Sequence, residues 1–450
     1  MTAERKKTVR GMAVDILDRI DRDRAYAEPL LDAVLTGTEI PNLSDRKLLT
    51  ELVYGTLRMR GRLDWVIDRL YRGKESTLET TPRNILRTAL YQLLFTDRIP
   101  AFAAVNEAVG IARQRCPAAA GLVNAILRNA IRNQENMTWP EMAKDPGRAL
   151  SVLHSHPRWL VERWLDRYGI GETISISRAN NDVPPMTVRV NSLKISREKI
   201  VTELSANGIM AERTRFSPDG LHLLTAGADL RRTGFFRDGL IRIQDEASQL
   251  VSRVVAPRPG ERILDICSGT GGKTLHLAAI MENRGHITAM DLHPDKLLLL
   301  SEEAYRLGVT ISEILPGDAT AMPEPFRAAF DRVLVDAPCS GLGTLRRNPE
   351  IRWRIVPSDI ENAMALQKRL LANAAETVKP GGLLVYCVCT VTQEENESVV
   401  DHLLAARHDF KHIPPEGVPP ELVDARGFFR TCPHREGMDG FFAAAFRRTS

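Results

Sequence analysis

Hydrophobic residues recur at helical spacing through the first 140 residues of the chain. Apolar positions three and four residues apart are typical of a helix that buries one face. The alternation that marks a half-buried strand is absent from this part of the sequence. The pattern therefore predicts a compact all-α domain over residues 1–140. The segments with the clearest helical spacing are VRGMAVDILDRI, DRKLLTELVYGTLRM, RNILRTALYQLLF and AAVNEAVGIARQ.

Residues 141–240 have a mixed pattern. SHPRWLVERWLDRYG has helical spacing, and REKIVTELSANGI predicts a helix that ends at Gly208. Alternation of apolar and polar residues in PMTVRVNSL predicts a strand, and LHLLTAG and GLIRIQD predict two more. We therefore expect a linker helix followed by a small α+β unit.

Strands and helices alternate over residues 241–450. The predicted strands are ERILDIC, GHITAMDLH, TISEILPGDA, DRVLVDAPCSG and GLLVYCVCTV, and the predicted helices include TLHLAAIME and PDKLLLLSEEAYRLG. A strand–helix–strand rhythm of this kind is typical of a doubly wound, mostly parallel sheet. We therefore expect an α/β Rossmann-like domain with a ligand at the carboxyl ends of its strands.

Composition sets limits on the class of protein. The chain has 450 residues, of which 43% are hydrophobic and 26% are charged, and this indicates several globular domains. No apolar run approaches the roughly 20 residues of a membrane helix, and the N-terminus lacks the features of a signal peptide. We therefore expect a cytoplasmic protein without a membrane segment. The six cysteines include no CxxC pair, so we expect free thiols and no metal site.

Charge is unevenly distributed along the chain. The net charge is +4, and residues 1–140 contain 22 Lys and Arg against 17 Asp and Glu. The basic excess thus lies in the predicted helical domain. This distribution alone is also typical of an ordinary solvated helical surface.

A glycine-rich turn follows the first strand of the predicted sheet. A Walker A loop requires glycine at the position of Cys267, and a dinucleotide GxGxxG motif requires glycine at the position of Thr274. Both phosphate-binding interpretations are therefore disfavoured, and a nucleoside ligand without phosphates remains. The candidate cofactor-binding residues of this turn are Cys267, Ser268, Gly269, Thr270, Gly271, Gly272 and Lys273.

Aspartates end the next three predicted strands. A carboxylate at the position of Asp291 suits the two ribose hydroxyls of a nucleoside, and Asp318 suits an adenine amino group. Asp336 ends the following strand. Each aspartate alone is also a common cap or turn former, but the succession favours a ligand. S-adenosylmethionine fits these features, because it combines adenine, ribose and a sulfonium-bearing amino acid.

Two cysteines follow adjacent predicted strands. Cys339 lies in DAPCSG and Cys389 in YCVCT. Buried cysteine is commonly only a small apolar residue, and this interpretation suits Cys116 and Cys432. The ligand edge of the sheet instead favours catalytic roles for Cys339 and Cys389.

These motifs resemble those of a known family. VLVDAPCSGLGTLRRNPEIRWR, LDICSGTGGKT and VYCVCTVTQEENE are similar to the motifs of the RNA 5-methylcytosine methyltransferases, closest to the RsmB (Fmu/Sun) branch, which acts on small-subunit ribosomal RNA. SDRKLLTELVYGTLR, RTALYQLLF and LVNAILRN resemble the NusB-like domain of that branch. The resemblance implies a NusB-like RNA-binding domain over residues 1–140, a small RNA-binding unit within 141–240 and a methyltransferase domain over 241–450.

The resemblance also implies roles for single residues. Cys389 matches the nucleophile that adds to cytosine C6, and Cys339 matches the cysteine that assists product release. Asp291, Asp318 and Asp336 match cofactor contacts, and Asp336 also suits the N3/N4 edge of the base. Two positions depart from the family pattern. The loop reads CSGTGGK where Ala-Ala-Pro usually precedes GGK, and Cys387 stands where serine is usual, which leaves a second candidate nucleophile.

The expected substrate is a cytosine of 16S ribosomal RNA, methylated at C5. Arginines after the Cys339 motif suit phosphates and base stacking, although a solvated loop is the alternative. They are Arg346, Arg347, Arg352 and Arg354. Other functions that remain open are the same chemistry on transfer RNA and a non-catalytic RNA-binding adaptor, whereas the broken GxGxxG motif disfavours a nicotinamide oxidoreductase. No obligate protein partner is evident, and we expect a monomer.

Overall fold

The computed structural model describes residues 8–37, 40, 42–71, 78–97, 99–225 and 230–449. The chain forms two compact units. The helical unit comprises Met1–Val183 and Leu345–Arg354, and the sheet unit comprises Pro184–Thr344 and Ile355–Ser450. Within the described ranges, no helix has both the length and the apolar run needed to cross a membrane. The same ranges contain no cluster of His, Cys, Asp and Glu arranged to hold a metal ion.

The helical unit confirms the predicted all-α domain. Its core consists of leucine-rich helix faces, with Leu49, Leu63 and Leu90 fully buried. The predicted linker helix packs with these helices and is interrupted at Gly169, where φ is +74°. The helices before residue 184 are α1 (Val9–Asp23), α2 (Ala27–Thr36), α3 (Leu43–Arg58), α4 (Arg60–Leu70), α5 (Thr80–Phe95), α6 (Ala101–Arg115), α7 (Ala120–Arg132), α8 (Pro146–Leu153) and α9 (Arg158–Ala179).

A buried arginine joins three of these helices. Arg87 of α5 donates two hydrogen bonds to Asp64 of α4, at 2.8 and 2.7 Å, and one to Asp21 of α1, at 2.9 Å. Only 5% of the Arg87 side chain is exposed. Because a guanidinium matches a carboxylate in a bidentate geometry, this cluster fixes the helices in direction as well as in distance.

The sheet unit begins with a small antiparallel sheet, which confirms the predicted α+β unit. The strand order is β2-β3-β1-β4. Residues 226 and 227, the end of the predicted strand LHLLTAG, lie outside the described residues. The elements are β1 (Met186–Val190), α10 (Arg197–Ala206), β2 (Ala211–Arg213), β3 (Gly220–Leu223), α11 (Gly234–Arg237) and β4 (Ile241–Ile243).

The rest of the sheet unit is built on a larger sheet. Its strands are β5 (Arg262–Ile266), β6 (His286–Asp291), β7 (Ser312–Pro316), β8 (Phe330–Asp336), β9 (Val378–Val388), β10 (Phe410–Ile413), β11 (Phe429–Arg430) and β12 (Phe442–Arg448). The helices from residue 246 onward are α12 (Glu246–Val255), α13 (Thr274–Ile280), α14 (Pro294–Leu307), α15 (Ile351–Arg354), α16 (Pro357–Thr377), α17 (Glu397–Ala406) and α18 (Pro433–Glu436). Of these helices, α15 belongs to the helical unit.

The larger sheet confirms the predicted doubly wound fold. Its order is β10-β12-β9-β8-β5-β6-β7, and β5 to β9 pair in parallel. Residues of α12 and α13 pack on one face, and residues of α16 and α17 pack on the other. The sequence did not predict that β10, β11 and β12 complete the sheet as antiparallel strands.

The segment Leu345–Arg354 corrects one prediction about RNA. Arg352 was expected to contact phosphates, but its side chain is completely buried. Its guanidinium donates to the carbonyl oxygens of Ser155, at 3.1 Å, and Asn180, at 2.9 Å, and to Asn181 Oδ1, at 2.8 Å. Burial lowers the pKa of Arg352 to about 9. In this structure Arg352 therefore holds the segment within the helical unit and presents no surface to RNA.

The other three predicted arginines differ in exposure. Arg346 is buried as well, with 5% of its surface exposed. Arg347 and Arg354 are partly exposed, and the guanidinium of Arg354 lies 4.4 Å from the ring centroid of Tyr26. An RNA contact therefore stays a prediction for Arg347 and Arg354 only.

Replacing Arg352 with alanine should destabilise the helical unit. The change removes a buried donor and leaves several buried oxygens without a hydrogen bond, which should cost about 3 kcal/mol of unfolding free energy. Urea denaturation measures the difference. The control is Arg132→Ala, an exposed position at the end of α7, which should change stability by less than about 0.5 kcal/mol. Equal effects of the two changes would show that Arg352 does not hold the segment.

Candidate active site

The carboxyl ends of four parallel strands meet at one edge of the larger sheet. The strands β8 and β6 lie on opposite sides of β5, so the order of the strands in the sheet reverses at β5. Ligands of doubly wound sheets bind at such a point. A cavity of about 380 Å³ lies there. The predicted residues that line it are Cys267, Gly269, Asp291, Asp318 and Asp336.

The turn after β5 has a backbone that requires glycine. Gly269 and Gly271 have φ of +56° and +77°, and Cys267 also has a positive φ, of +61°. A Cβ added at Gly271 would lie 2.6 Å from Leu300 Cγ. Because that distance is shorter than van der Waals contact, the turn tolerates no side chain there, and its backbone can lie close to a ligand.

Asp291 and Asp318 occupy different environments at the cavity. Asp291 is buried, and its two carboxylate oxygens accept hydrogen bonds from the backbone N–H groups of Gly269 and His293, each at 2.9 Å. Each oxygen keeps a further lone pair for a ligand hydroxyl. Asp318 is exposed, and its Oδ1 accepts from the N–H and the hydroxyl of Thr320, each at 2.8 Å. These hydrogen bonds lower the pKa of Asp318.

Side chains of the small sheet bind the turn after β5, residues 267–273, which we call the cofactor turn. Arg189 of β1 donates to the carbonyl oxygen of Gly272, at 2.8 Å, and Arg242 of β4 donates to that of Thr270, at 2.9 Å. Arg189 is 2% exposed. The sequence pattern did not predict either arginine at this site. The available signal was an arginine placed inside the apolar strand TVRVN.

Lys273 forms an ion pair at the end of β8. Its Nζ lies 2.6 Å from Asp336 Oδ2, and only 9% of the Lys273 side chain is exposed. Burial alone would lower the pKa of Lys273, but the charge of Asp336 outweighs burial and raises it. Lys273 is therefore a fixed cation, and it holds the Asp336 carboxylate in one orientation.

Cys387 lies on the other side of the same carboxylate. Its thiol donates to Asp336 Oδ1 at 3.2 Å, and its side chain is fully buried. Burial is the main cause that raises the pKa of Cys387 well above the ordinary value of a thiol. Cys387 therefore keeps its proton at neutral pH, and a thiol is a poor nucleophile.

The two predicted catalytic cysteines are in contact. The sulfur atoms of Cys339 and Cys389 lie 3.3 Å apart, and both cysteines are free thiols. The hydrogen bond with Cys389, together with burial, raises the pKa of Cys339 well above its ordinary value. Cys339 is therefore a proton-bearing partner that can stabilise negative charge on the sulfur of Cys389.

A buried aspartate lies in β5, directly before the glycine turn, and the sequence pattern did not predict it at the site. Asp265 of β5 is completely buried, and its Oδ2 accepts the hydroxyl hydrogen of Thr274 at 2.5 Å. Burial raises the pKa of Asp265 to about 7. An acidic residue inside the apolar strand RILDI was the available signal.

Three family models match this chain. Residues 252–447 match the 16S rRNA methyltransferase RsmB/F family, and residues 7–132 match the NusB family. Residues 156–229 match the ferredoxin-like domain of the RsmF/B-like methyltransferases. The three matches follow one another along the chain and together account for most of its length.

Curated relatives and solved structures agree with these matches. The "Probable ribosomal RNA small subunit methyltransferase B" of Bacillus subtilis is 37% identical over 99% of both chains. The "Ribosomal RNA small subunit methyltransferase B" of Pseudomonas syringae is 34% identical over 94% of this chain and 96% of its own. The crystal structure of PH0851 is 29% identical, with a TM-score of 0.84 over 98% of this chain and 99% of its own. A methyltransferase homolog protein from Pyrococcus horikoshii, also 29% identical, has a TM-score of 0.60 over 68% and 99%.

The chain belongs to the RsmB/F family of 16S rRNA methyltransferases. Its cofactor is S-adenosylmethionine, and the cavity has features that this group requires. A buried carboxylate, that of Asp291, and the glycine turn line it, and both suit a nucleoside ligand. The cofactor contains no phosphates, in agreement with a turn that lacks both phosphate-binding motifs.

Asp265→Asn should change the pH dependence of stability. The pKa of Asp265 is raised to about 7 in the folded chain, against about 3.9 in an unfolded one. The proton on Asp265 therefore stabilises the folded chain fully below about pH 4, and this stabilisation is lost as the pH rises through about 7. Over that range the free energy of unfolding falls by up to about 1.4 kcal/mol per pH unit. Asparagine still accepts the hydrogen bond from Thr274 and does not titrate. In urea denaturation, Asp265→Asn should gain stability relative to the wild type between about pH 5 and 7.5. Parallel curves for the two proteins over that range would contradict the raised pKa.

Proposed function

We propose that this protein transfers a methyl group from S-adenosylmethionine to C5 of a cytosine in 16S ribosomal RNA, through a covalent bond between Cys389 and C6. One observation carries the proposal. The sulfur atoms of Cys339 and Cys389 lie 3.3 Å apart, beyond the ends of the neighbouring strands β8 and β9. Asp336, which pairs with Lys273, lines the cavity at the same edge of the sheet.

The chemistry explains why the site needs cysteine. Cytosine C5 is too weak a nucleophile to accept a methyl group directly. Addition of the Cys389 thiolate to C6 makes C5 enamine-like, and S-adenosylmethionine supplies an electrophilic methyl group. The C5 proton then passes to solvent, its bonding pair restores the C5–C6 double bond, and the electron pair of the C6–S bond returns to Cys389 as thiolate. Thiolate serves both as the attacking and as the leaving group, and the target base must leave its stack to reach it.

Neighbouring groups support the assignment of roles. Cys339 keeps its proton, so it can donate a hydrogen bond to the sulfur of Cys389 as the C6–S bond breaks. The pKa of Cys387 is raised by burial and its thiol is bound to Asp336, which favours Cys389 as the nucleophile. Asp336, oriented by Lys273, is suited to the N3/N4 edge of the cytosine as charge develops during addition.

The family matches favour ribosomal RNA over the alternative substrates. A transfer RNA substrate would require the NusB-family match to serve another purpose. A non-catalytic adaptor would not need two thiols in contact beyond neighbouring strands. We also propose that the NusB-like helices and the small sheet contact RNA. Arg347 and Arg354 are the candidate phosphate contacts that keep exposed surface.

Asp291→Ala should weaken cofactor binding. The change removes a charge-assisted hydrogen bond to the ribose, so the affinity for S-adenosylmethionine should fall by about 1.5–3 kcal/mol. Isothermal titration calorimetry measures this. Asp295→Ala, in the first turn of α14, is the control and should bind normally. Unchanged affinity of the Asp291 variant would remove Asp291 from the cofactor site.

Replacing each cysteine should give a different product. Cys389→Ala lacks the nucleophile, so neither adduct nor methylated RNA should form. Cys339→Ala keeps the nucleophile but slows release, so protein covalently joined to RNA should accumulate in the presence of S-adenosylmethionine. A denaturing gel with labelled 16S RNA detects the adduct, and bisulfite sequencing detects the methylated cytosine.

Cys387→Ser is the matched control for the cysteine experiment. It replaces a thiol two residues from Cys389 with a hydroxyl that also donates to Asp336, so methylation should persist. Loss of methylation in Cys387→Ser together with activity in Cys389→Ala would move the nucleophile to Cys387. An adduct that accumulates in Cys389→Ala and is absent from Cys339→Ala would move it to Cys339.

A further inference from the structure

A buried glutamate lies behind the two catalytic cysteines. Glu395 follows β9 in the segment TQEENE and has no exposed surface. Its partners are neutral donors: the N–H of Ser340 at 2.7 Å, the hydroxyl of Ser340 at 2.5 Å and the hydroxyl of Thr392 at 2.8 Å. The hydroxyl of Thr390 and the amide of Gln367 also donate to it, at 3.2 and 3.1 Å. An ionised carboxylate can accept all of these hydrogen bonds because it offers only acceptors.

The positions of these donors along the chain are informative. Ser340 is the residue after Cys339, and Thr390 is the residue after Cys389. The two hydroxyls also lie 2.8 Å from each other. One carboxylate therefore joins the two loops at the residue next to each thiol, while the thiols themselves remain directed at each other.

Backbone hydrogen bonds alone do not fix the distance between the sulfur atoms of Cys339 and Cys389. The Gly343 N–H donates to the Cys389 carbonyl at 3.0 Å, and the Ala337 N–H donates to the Cys387 carbonyl at 3.0 Å. Both bonds hold the loops in register but do not involve the residue after either cysteine. Replacing the Glu395 carboxylate would keep these two backbone hydrogen bonds and would release the loops at Ser340 and Thr390, next to the thiols.

We propose that Glu395 is a positioning residue that sets the distance between the sulfur atoms of Cys339 and Cys389. The proposal rests on the proposed function in so far as the two thiols act on one base. Glu395 has no exposed surface and does not line the cavity, so it is not placed to touch the base or the cofactor. It acts through Ser340 and Thr390, which it holds together in the absence of RNA.

The test uses Glu395→Gln in the full chain and a probe that needs both thiols. Phenylarsine oxide reacts with two neighbouring thiols to form two As–S bonds and one water molecule. The part of the phenylarsine oxide reaction that is lost in both Cys339→Ala and Cys389→Ala measures bridging between these two cysteines. Glutamine has the same shape, but its N–H₂ group would face hydrogen-bond donors and could not accept from them. The loops at Ser340 and Thr390 would then be held less firmly, so bridging of the two thiols by the arsenical should slow by about tenfold or more. The rate constant for methylation should fall to a similar extent, with unchanged affinity for S-adenosylmethionine.

The matched control is Glu246→Gln. Glu246 is also buried in the sheet unit and accepts two backbone N–H groups, from Phe216 at 2.6 Å and Ser217 at 2.7 Å. The Glu246→Gln protein should lose about as much stability as the Glu395→Gln protein, but its Cys339 and Cys389 should react with the arsenical at the wild-type rate. A Glu395→Gln protein that is less stable but reacts at the wild-type rate would overturn the proposal and leave Glu395 a structural role alone.

A milder variant covers the case in which Glu395→Gln does not fold. Ser340→Ala keeps the backbone N–H bond to Glu395 and removes only the hydroxyl, so bridging should slow by a smaller factor of about threefold. Unchanged bridging in this variant would also overturn the proposal. The arsenical experiment needs no RNA, so a wild-type protein that bridges normally but does not methylate 16S RNA would contradict the proposed function and not the role of Glu395.

Discussion

The active site depends on the pairing of β8 with β9. These strands run in parallel with Asp336 opposite Cys387, and this register determines which residues meet beyond the strand ends. Three residues after Asp336 the chain reaches Cys339, and two residues after Cys387 it reaches Cys389. A shift of one residue would turn Asp336 and Cys387 toward opposite faces of the sheet. The apolar residues of both strands are packed between helix layers, so the core that stabilises the fold also fixes the catalytic geometry.

The same acidic group serves different purposes at this edge because its surroundings differ. Asp336 is paired with Lys273 and accepts a hydrogen bond from the thiol of Cys387. Asp265, one strand away, lies among apolar residues with a single hydroxyl donor, and its pKa is raised to about 7. Asp318 is exposed and held by Thr320, and its pKa is lowered. Burial and partners, more than residue type, thus separate the roles of these aspartates.

The sequence predicts those parts of the site that follow from local pattern. The end of a strand is visible as the end of an apolar run, so the sequence alone predicts Asp291, Asp336 and the two cysteines at one edge of the sheet. Contacts between distant segments have no such signal. Arg352 was expected at an RNA surface because it is one of four arginines that follow the Cys339 motif, yet its partners include Ser155 and Asn180. Glu395 stands among other acidic residues, and nothing in TQEENE distinguishes the buried glutamate from the others.

Because Leu345–Arg354 belongs to the helical unit, this unit cannot finish folding early in translation. The ribosome synthesises α1 to α9 first, but the bundle still lacks α15 and the guanidinium that satisfies its buried carbonyl groups. All of Pro184–Thr344 must be translated before that segment appears, which at roughly 5–20 residues per second takes on the order of ten seconds or more. The first domain to leave the exit tunnel is therefore completed only after the cofactor turn and the Cys339 loop have been translated, and its nascent form must stay soluble until then.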